Sequence, residues 1–305
     1  MTRAPLAVLG LGGVGGALAA RTRALCVGTE RTVEAIRERG LTLVHGAETT
    51  VVHPETTTRL EQPVALLVVA VKAYDLDAAL DRIGPEALDG AVVLPLLNGL
   101  EHVDAIRGRL GRARYRLLQA PPAVAAGTIG VFSAATTEPG VVVQATTGPA
   151  RIRAASRDVE RETLAAALAP LAVPGVEVVV GDDEREVLWE KAVRLAVLAA
   201  ATTASGLGVG ALRADPGWGE RMRSAVAEAA ATAEADGVPM SAAAQWGMIE
   251  AMQPELTTSA ARDAAAGRPT ELDAIVGSIV RAAARLGVET PTLAALWEEA
   301  RCRAR

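Results

Sequence analysis

"AVLGLGGVGGALAA", residues 7–20, decides how the rest of the chain reads. An apolar run stops at the turn Gly10-Leu11-Gly12-Gly13-Val14-Gly15, and small apolar residues follow. This is strand, turn and helix, with the G-x-G-x-x-G spacing of a dinucleotide-binding fingerprint in the context that fingerprint needs. Gly10 permits the tight turn. Gly12, with Gly13 beside it, lets a diphosphate approach the backbone, and Gly15 lets helix and strand pack closely. The helix start then offers the phosphates unpaired N–H groups and the positive end of its dipole. A purely structural glycine turn is the competing reading.

Outward from this turn, short aliphatic runs recur: "ALCVG" (24–28), "VALLVVAV" (64–71) and "AVVLPLL" (91–97). The last two are apolar throughout, as strands covered on both faces are. Helical patterns lie between or beyond them at 32–40, 75–83 and 101–110. Strands alternating with helices predict a doubly wound parallel sheet of the Rossmann type. "VVVQ" (141–144) and "VEVVV" (176–180) read as added or edge strands. From Asp182 onward helical periodicity takes over, punctuated by Gly and Pro. The expectation is an α/β protein: a dinucleotide-binding domain over 1–181, then an all-helical substrate and catalytic domain over 182–305.

The end of the second strand, "CVGTERT" (26–32), bears on the choice of dinucleotide. Small Gly28 occupies the position where an acid would hold the ribose of NAD. Thr29, Arg31 and Thr32 follow and could meet a 2′-phosphate. NADPH is therefore the expected cofactor. NADH is the alternative, because Glu30 lies twenty residues after Gly10, a spacing that suits a ribose-binding acid. Two more residues sit just past strands: Lys72 in "VVAVKAYD" and Asn98 in "LPLLNGLEH". Ligands of open parallel sheets bind at such strand ends. An ordinary strand-end lysine and an Asn-Gly turn are the structural readings of the same residues.

Composition excludes several classes. The 305 residues are 50% hydrophobic, enough for a large core, but only 2% aromatic, so Ala, Leu and Val must build it. A net charge of −5 points away from nucleic acid and anionic membranes. No uninterrupted apolar run has the length of a membrane span. His45, His53 and His102 show no metal-ligand spacing, and Cys26 and Cys302 form no disulfide framework. No metal is expected, and the expected location is cytoplasmic.

The glycine turn, "VKAYD", "LLNGLE", "EPGVVVQ", "LWEKAV" and "GRPTELDAIVG" occur in the order in which they occur in ketopantoate reductases. Over almost its whole length the chain resembles that family. The resemblance implies a Rossmann domain followed by a helical domain, reduction of a 2-oxo acid with NADPH, and a homodimer by analogy. It further implies that Lys191 is the general acid, that Glu271 interacts with it, and that Ser259 contacts the substrate. Asn98 would lie near substrate and nicotinamide, and Lys72 near the cofactor. The family pattern also has substrate-contacting asparagines four and eight residues after the lysine. Here these positions are Leu195 and Ala199, so the reductase machinery is kept while substrate recognition is changed.

The helix carrying Lys191 bears on this directly. Asp183, Glu186, Glu190 and Arg194 follow helical spacing and form a polar stripe, with Glu190 and Arg194 spaced to pair. Lys191 lies about 100° from Glu190, on the stripe of Leu195 and Ala199. A snorkelling lysine is the bland account. The chemical one is that hydride delivery to a ketone creates an alkoxide, which a positioned ammonium stabilises and protonates. Glu271 would keep that ammonium charged. Alternatively, Thr270 caps a helix and Glu271 only favours its dipole, and Ser259 is a capping hydroxyl.

The function expected is an NAD(P)H-dependent reductase of a 2-oxo acid or a related small carbonyl compound, which need not be ketopantoate. A different dehydrogenase of the same two-domain plan, for a hydroxy acid or an opine or imine, and a non-catalytic dinucleotide-binding protein are the alternatives.

Overall fold

Six parallel strands in the order β5-β2-β1-β6-β7-β8 form the sheet foreseen from the apolar runs. They are β1 (Ala4–Leu9), β2 (Leu25–Val27), β5 (Thr56–Thr57), β6 (Val64–Val69), β7 (Val92–Pro95) and β8 (Ala123–Val124). The computed structural model describes residues 4–111, 115, 118–130 and 132–305. Sheet order runs outward from β1 in both directions, so the carboxyl ends of β1 and β6 meet at a topological switch point. The glycine turn leaves β1 and enters α1 (Gly13–Thr22) there, and "VKAYD" follows β6. Central β6 and β7 are almost wholly buried, which explains why their sequences lack alternation.

Two smaller sheets were less evident. β3 (Leu41–His45) and β4 (Glu48–Val52) form a hairpin whose turn includes Gly46 at φ +60°. β10 (Ala134–Glu138) and β11 (Val141–Gln144) form another, with Gly140 at φ +81° in its turn. β11 pairs with β3, joining the hairpins into one four-stranded sheet. The run at 141–144 is therefore an inner strand of a separate sheet. The run at 176–180 is the edge strand β13 (Val176–Val180) of a third, beside β12 (Ala150–Ala155), with β9 (Ala126–Ile129) at the opposite edge.

The chain divides into two compact units: Met1–Leu97 with His102–Val187, and Asn98–Glu101 with Leu188–Arg305. Each has its own apolar core. The second unit is helical and takes all but the first turn of α6 (Glu184–Ser205). From Ala196 to Ala201 every residue of α6 is buried, so this stretch is apolar all round and acts as the unit's central rod. Its alanines let neighbours approach closely. Around it lie α8 (Pro216–Ala235), started by Asp215 accepting from Trp218 N; α9 (Ala242–Glu250), capped by Ser241; and α10 (Ser259–Ala265), capped by Thr258. A π-helical turn, Asp273–Gly277, runs into α11 (Ser278–Leu286). Among the described residues no helix is long and apolar enough to cross a membrane.

The glycine turn separates packing from open space. A Cβ on Gly15 would overlap the Gly10 carbonyl oxygen and press on Ala70, whereas one on Gly12 would meet nothing within 4 Å. We predict that Gly15→Ala loses about 1–3 kcal/mol or more in urea unfolding, the scale of overpacking. Gly12→Ala should unfold like the parent protein.

Candidate active site

Gly10 stands at φ +92°, its N–H donates to Val27 O at 3.0 Å, and a Cβ there would overlap Val71 and Ala70. A Cβ on Gly13 would overlap the Ala134 carbonyl of β10, so that glycine serves the passing strand. Gly12, at the N-cap of α1, is the member of the set with free space over its backbone. No side chain caps α1 and no acid lies in its first turn. The helix start thus offers uncapped N–H groups beside an open face, which fits a dinucleotide diphosphate.

At the end of β2, Gly28 is buried against Leu11. Thr29 is the N-cap of α2 (Glu30–Arg39), and its hydroxyl lies 3.1 Å from that of Thr32. Thr29, Glu30 and Arg31 are exposed. A second guanidinium reaches the same turn: Arg82 donates to Gly28 O and Thr58 O, both at 3.3 Å. Arg82 lies 54 residues from Gly28 in sequence, so no local spacing marked it. Lys72 is the N-cap of the 3₁₀ turn Ala73–Asp75.

In the second unit, Lys191 Nζ donates to Asn98 Oδ1 at 2.9 Å. Burial pushes the lysine's pKa down to about 8, the Glu271 carboxylate works against that shift, and the Arg194 charge adds to it. Asn98 is held by its neighbours. Gly99 adopts φ +96°, and a Cβ there would overlap the Ala274 carbonyl of the π-helical turn. Glu101 accepts from Arg281 Nε at 2.9 Å and Nη2 at 2.7 Å, and Arg281 Nη1 donates to Asp273 at 3.1 Å. The Arg281 guanidinium holds the Glu101 carboxyl below its usual range. This clamp draws the Asn98–Glu101 segment into the helical unit. The Asn-Gly sequence is a turn, as its chemistry suggested, and the turn presents the acceptor.

Glu271 is 5% exposed and precedes the π-helical turn. Ile275 N donates to Glu271 O at 2.9 Å, so the helix starts from Glu271 and the Thr270 cap is not formed. Asp273 is engaged by Arg281 instead. Such π turns recur at functional sites, because the extra residue re-aims its neighbours. Ser259 is likewise not the cap of α10. Thr258 accepts from Ala261 N at 3.2 Å and pairs with Thr202 at 2.9 Å, leaving the Ser259 hydroxyl uncommitted to the cap. Leu195 is partly exposed, whereas Ala199 is fully buried in the helical core. The expected Glu190–Arg194 pair is not formed, because Arg194 turns to Gln245 Oε1 at 2.6 Å.

The family model described as ketopantoate reductase PanE/ApbA matches residues 6–157, and its C-terminal counterpart matches residues 183–303. A 2-dehydropantoate 2-reductase of Caulobacter vibrioides is 32% identical over 94% of each chain. One from Halobacterium salinarum is 30% identical over 81% of this chain and 82% of its own. A PanE/ApbA family ketopantoate reductase from Ralstonia eutropha superposes with TM-score 0.82 at 27% identity, covering 98% of each chain. A D-mandelate dehydrogenase solved with NADH and anilino(oxo)acetate shares the fold, with TM-score 0.85 at 21% identity and 98% of each chain covered.

Because the Glu271 charge opposes the fall of the Lys191 pKa, Glu271→Gln should move that pKa below about 8. The pH dependence of Lys191 labelling by an amine-directed reagent measures it. An unchanged midpoint would show that the two groups are not coupled.

Proposed function

We propose that this chain, which belongs to the ketopantoate reductase family, reduces a 2-oxo acid whose side chain is more apolar than that of ketopantoate. The family places it among NADP-dependent oxidoreductases acting on a small molecule. What carries the mechanistic reading is the partly buried Lys191 ammonium, hydrogen bonded to Asn98 and charge-balanced by Glu271.

A bound reduced nicotinamide supplies the hydride that adds to the carbonyl carbon. Lys191 does the rest of the work on oxygen: its ammonium stabilises the developing alkoxide and gives it a proton, which solvent later returns. Desolvation strengthens that interaction. A pKa of about 8 leaves the lysine charged near neutrality yet willing to release its proton. Glu271 keeps it from falling further, and Asn98 aims it.

In the first unit, Gly12 and the start of α1 would take the diphosphate. Thr29, Arg31 and the neighbouring Arg82 support NADPH over NADH, since a 2′-phosphate needs cationic and hydroxyl partners. Lys72, just past β6, joins them as a proposed cofactor contact. Ser259 stands as a proposed substrate contact.

Leu195, one turn beyond Lys191, offers no hydrogen bond, and Ala199 is closed into the core. A buried substrate hydroxyl without a partner costs about 1–3 kcal/mol. Hence the preference for an alkyl or aryl 2-oxo acid. A second reading, a 2-hydroxy acid dehydrogenase working with NADH, has the D-mandelate dehydrogenase likeness in its favour; at 21% identity that likeness is one of fold alone.

Lys191→Ala should lower kcat about a hundredfold or more, with dinucleotide affinity by nicotinamide fluorescence nearly unchanged. Near-normal turnover would leave Lys191 a snorkelling side chain. In the parent protein, activity should decline as pH rises through about 8, where the acid loses its proton. NADPH should bind more tightly than NADH; the reverse would assign the ribose to Glu30. Leu195→Asn should raise kcat/KM for ketopantoate relative to 3-methyl-2-oxobutanoate. An efficient parent ketopantoate reductase, impaired by that change, would overturn the apolar-substrate reading.

A further inference from the structure

Arg194 lies three residues beyond Lys191 on α6. Helix geometry sets it about 60° round and about 4.5 Å along. Residues so spaced are surface neighbours, with Cβ atoms about 5–6 Å apart. Two cations this close on one helix repel each other, and the Arg194 charge registers at Lys191. Glu271 balances one of them. No carboxylate balances the other among the described residues. The one hydrogen bond of Arg194 goes to the neutral amide oxygen of Gln245, at 2.6 Å. Gln245 is itself 4% exposed and committed, its Nε2 resting on Met240 Sδ.

Two other arginines withdrawn from water keep carboxylates, whereas Arg21, like Arg194, has its pKa lowered by burial and donates to neutral oxygens, those of Gln144 and Ala17. Arg107 pairs with Glu184 and Asp158, and Arg109 pairs with Asp77 and Asp81. A guanidinium withdrawn from water ordinarily keeps an anion, because burying an unpaired charge is costly. Arg194 is withdrawn enough for burial to lower its pKa, yet it has a single neutral partner. Among the described residues its Nε and Nη2 donors have no hydrogen-bond partner, and they form an edge of the fork that grips a carboxylate through two parallel bonds.

We propose that Arg194 is the carboxylate receptor of this site: it binds the acid group of the 2-oxo acid while Lys191 takes the adjacent carbonyl oxygen. The assignment rests on the reductase reading above and adds the polar recognition that Leu195 and Ala199 do not provide. In a 2-oxo acid the carboxylate and the carbonyl are on neighbouring carbons, so cations on neighbouring positions of one helix match their spacing. The incoming carboxylate also relieves the repulsion between Lys191 and Arg194. An apolar side chain on the substrate then meets Leu195.

The test uses the full-length protein with NADPH and two matched pairs: 3-methyl-2-oxobutanoate and its methyl ester, and phenylglyoxylate and its methyl ester. The parent protein should favour each acid over its ester. Arg194→Gln should cut kcat/KM for the acids by about ten- to hundredfold, the value of a charged hydrogen-bonded contact. It should change the esters no more than a few-fold, so the acid-to-ester ratio collapses. Arg194→Lys, which keeps the charge and loses the fork, should fall between them. An acid-to-ester ratio unchanged in both variants would overturn the assignment and leave Arg194 a residue of α6 that only packs against α9. A parent protein that reduces none of the four compounds would instead overturn the 2-oxo acid reading, and this assignment with it.

Discussion

Partly withdrawing the Lys191 ammonium from water is the constraint around which the second unit is organised. A buried cation is tolerated only with partners, and each partner here is fixed by a separate device. Asn98 arrives on a turn that only a residue at positive φ can make, pressed against the carbonyl of Ala274 where no Cβ fits. The Arg281–Glu101–Asp273 cluster ties that turn down. Glu271 is set at the start of an irregular helix, close enough for its charge to be felt. The alanine-rich rod of α6 lets all of these elements converge on one lysine. Without the constraint, a π turn and a positive-φ glycine in the same place would have no common cause.

The first unit is organised by a different economy, that of absent side chains. Three glycines of the turn are required by the protein's own backbone: Gly10 by its φ and by Ala70, Gly13 by β10, and Gly15 by Gly10. Only Gly12 is bare toward open space. One six-residue motif thus contains two kinds of glycine, and spacing alone does not separate them. The distinction follows from a second sheet whose strand crosses the start of α1.

Much of this was legible in the sequence where the physics is local. Apolar runs gave away β6 and β7, because a strand covered on both faces has no polar side to show. The glycine turn, the helical second half and Lys191 on an otherwise apolar stripe were readable for the same reason. Interactions that close over long separations were not. The hairpin pairing of β10 and β11 with β3 depends on contacts a hundred residues apart, and short strands with threonines look like loops. Arg82 reaches Gly28 across 54 residues. Glu190 and Arg194 have the spacing of a surface ion pair, but Gln245 from another helix wins the guanidinium. Thr270 resembles a cap, yet the first helical hydrogen bond is accepted by Glu271, ahead of the π turn Asp273–Gly277.

The four residues Asn98–Glu101 have one further consequence. They belong by packing to the helical unit but are encoded in the middle of the other. The polypeptide therefore passes between the units at Leu97, at Glu101 and at Val187. No single cut yields two complete modules. A fragment beginning at Leu188 would contain Lys191, Glu271 and every helix that shelters them, yet lack the amide oxygen that accepts the lysine's hydrogen bond. Shuffling this helical half onto another nucleotide-binding half would have to carry an Asn-Gly turn along in the foreign sequence, at the end of the right strand. The Asn-Gly turn is thus a part of the helical half that only the other half's chain can deliver.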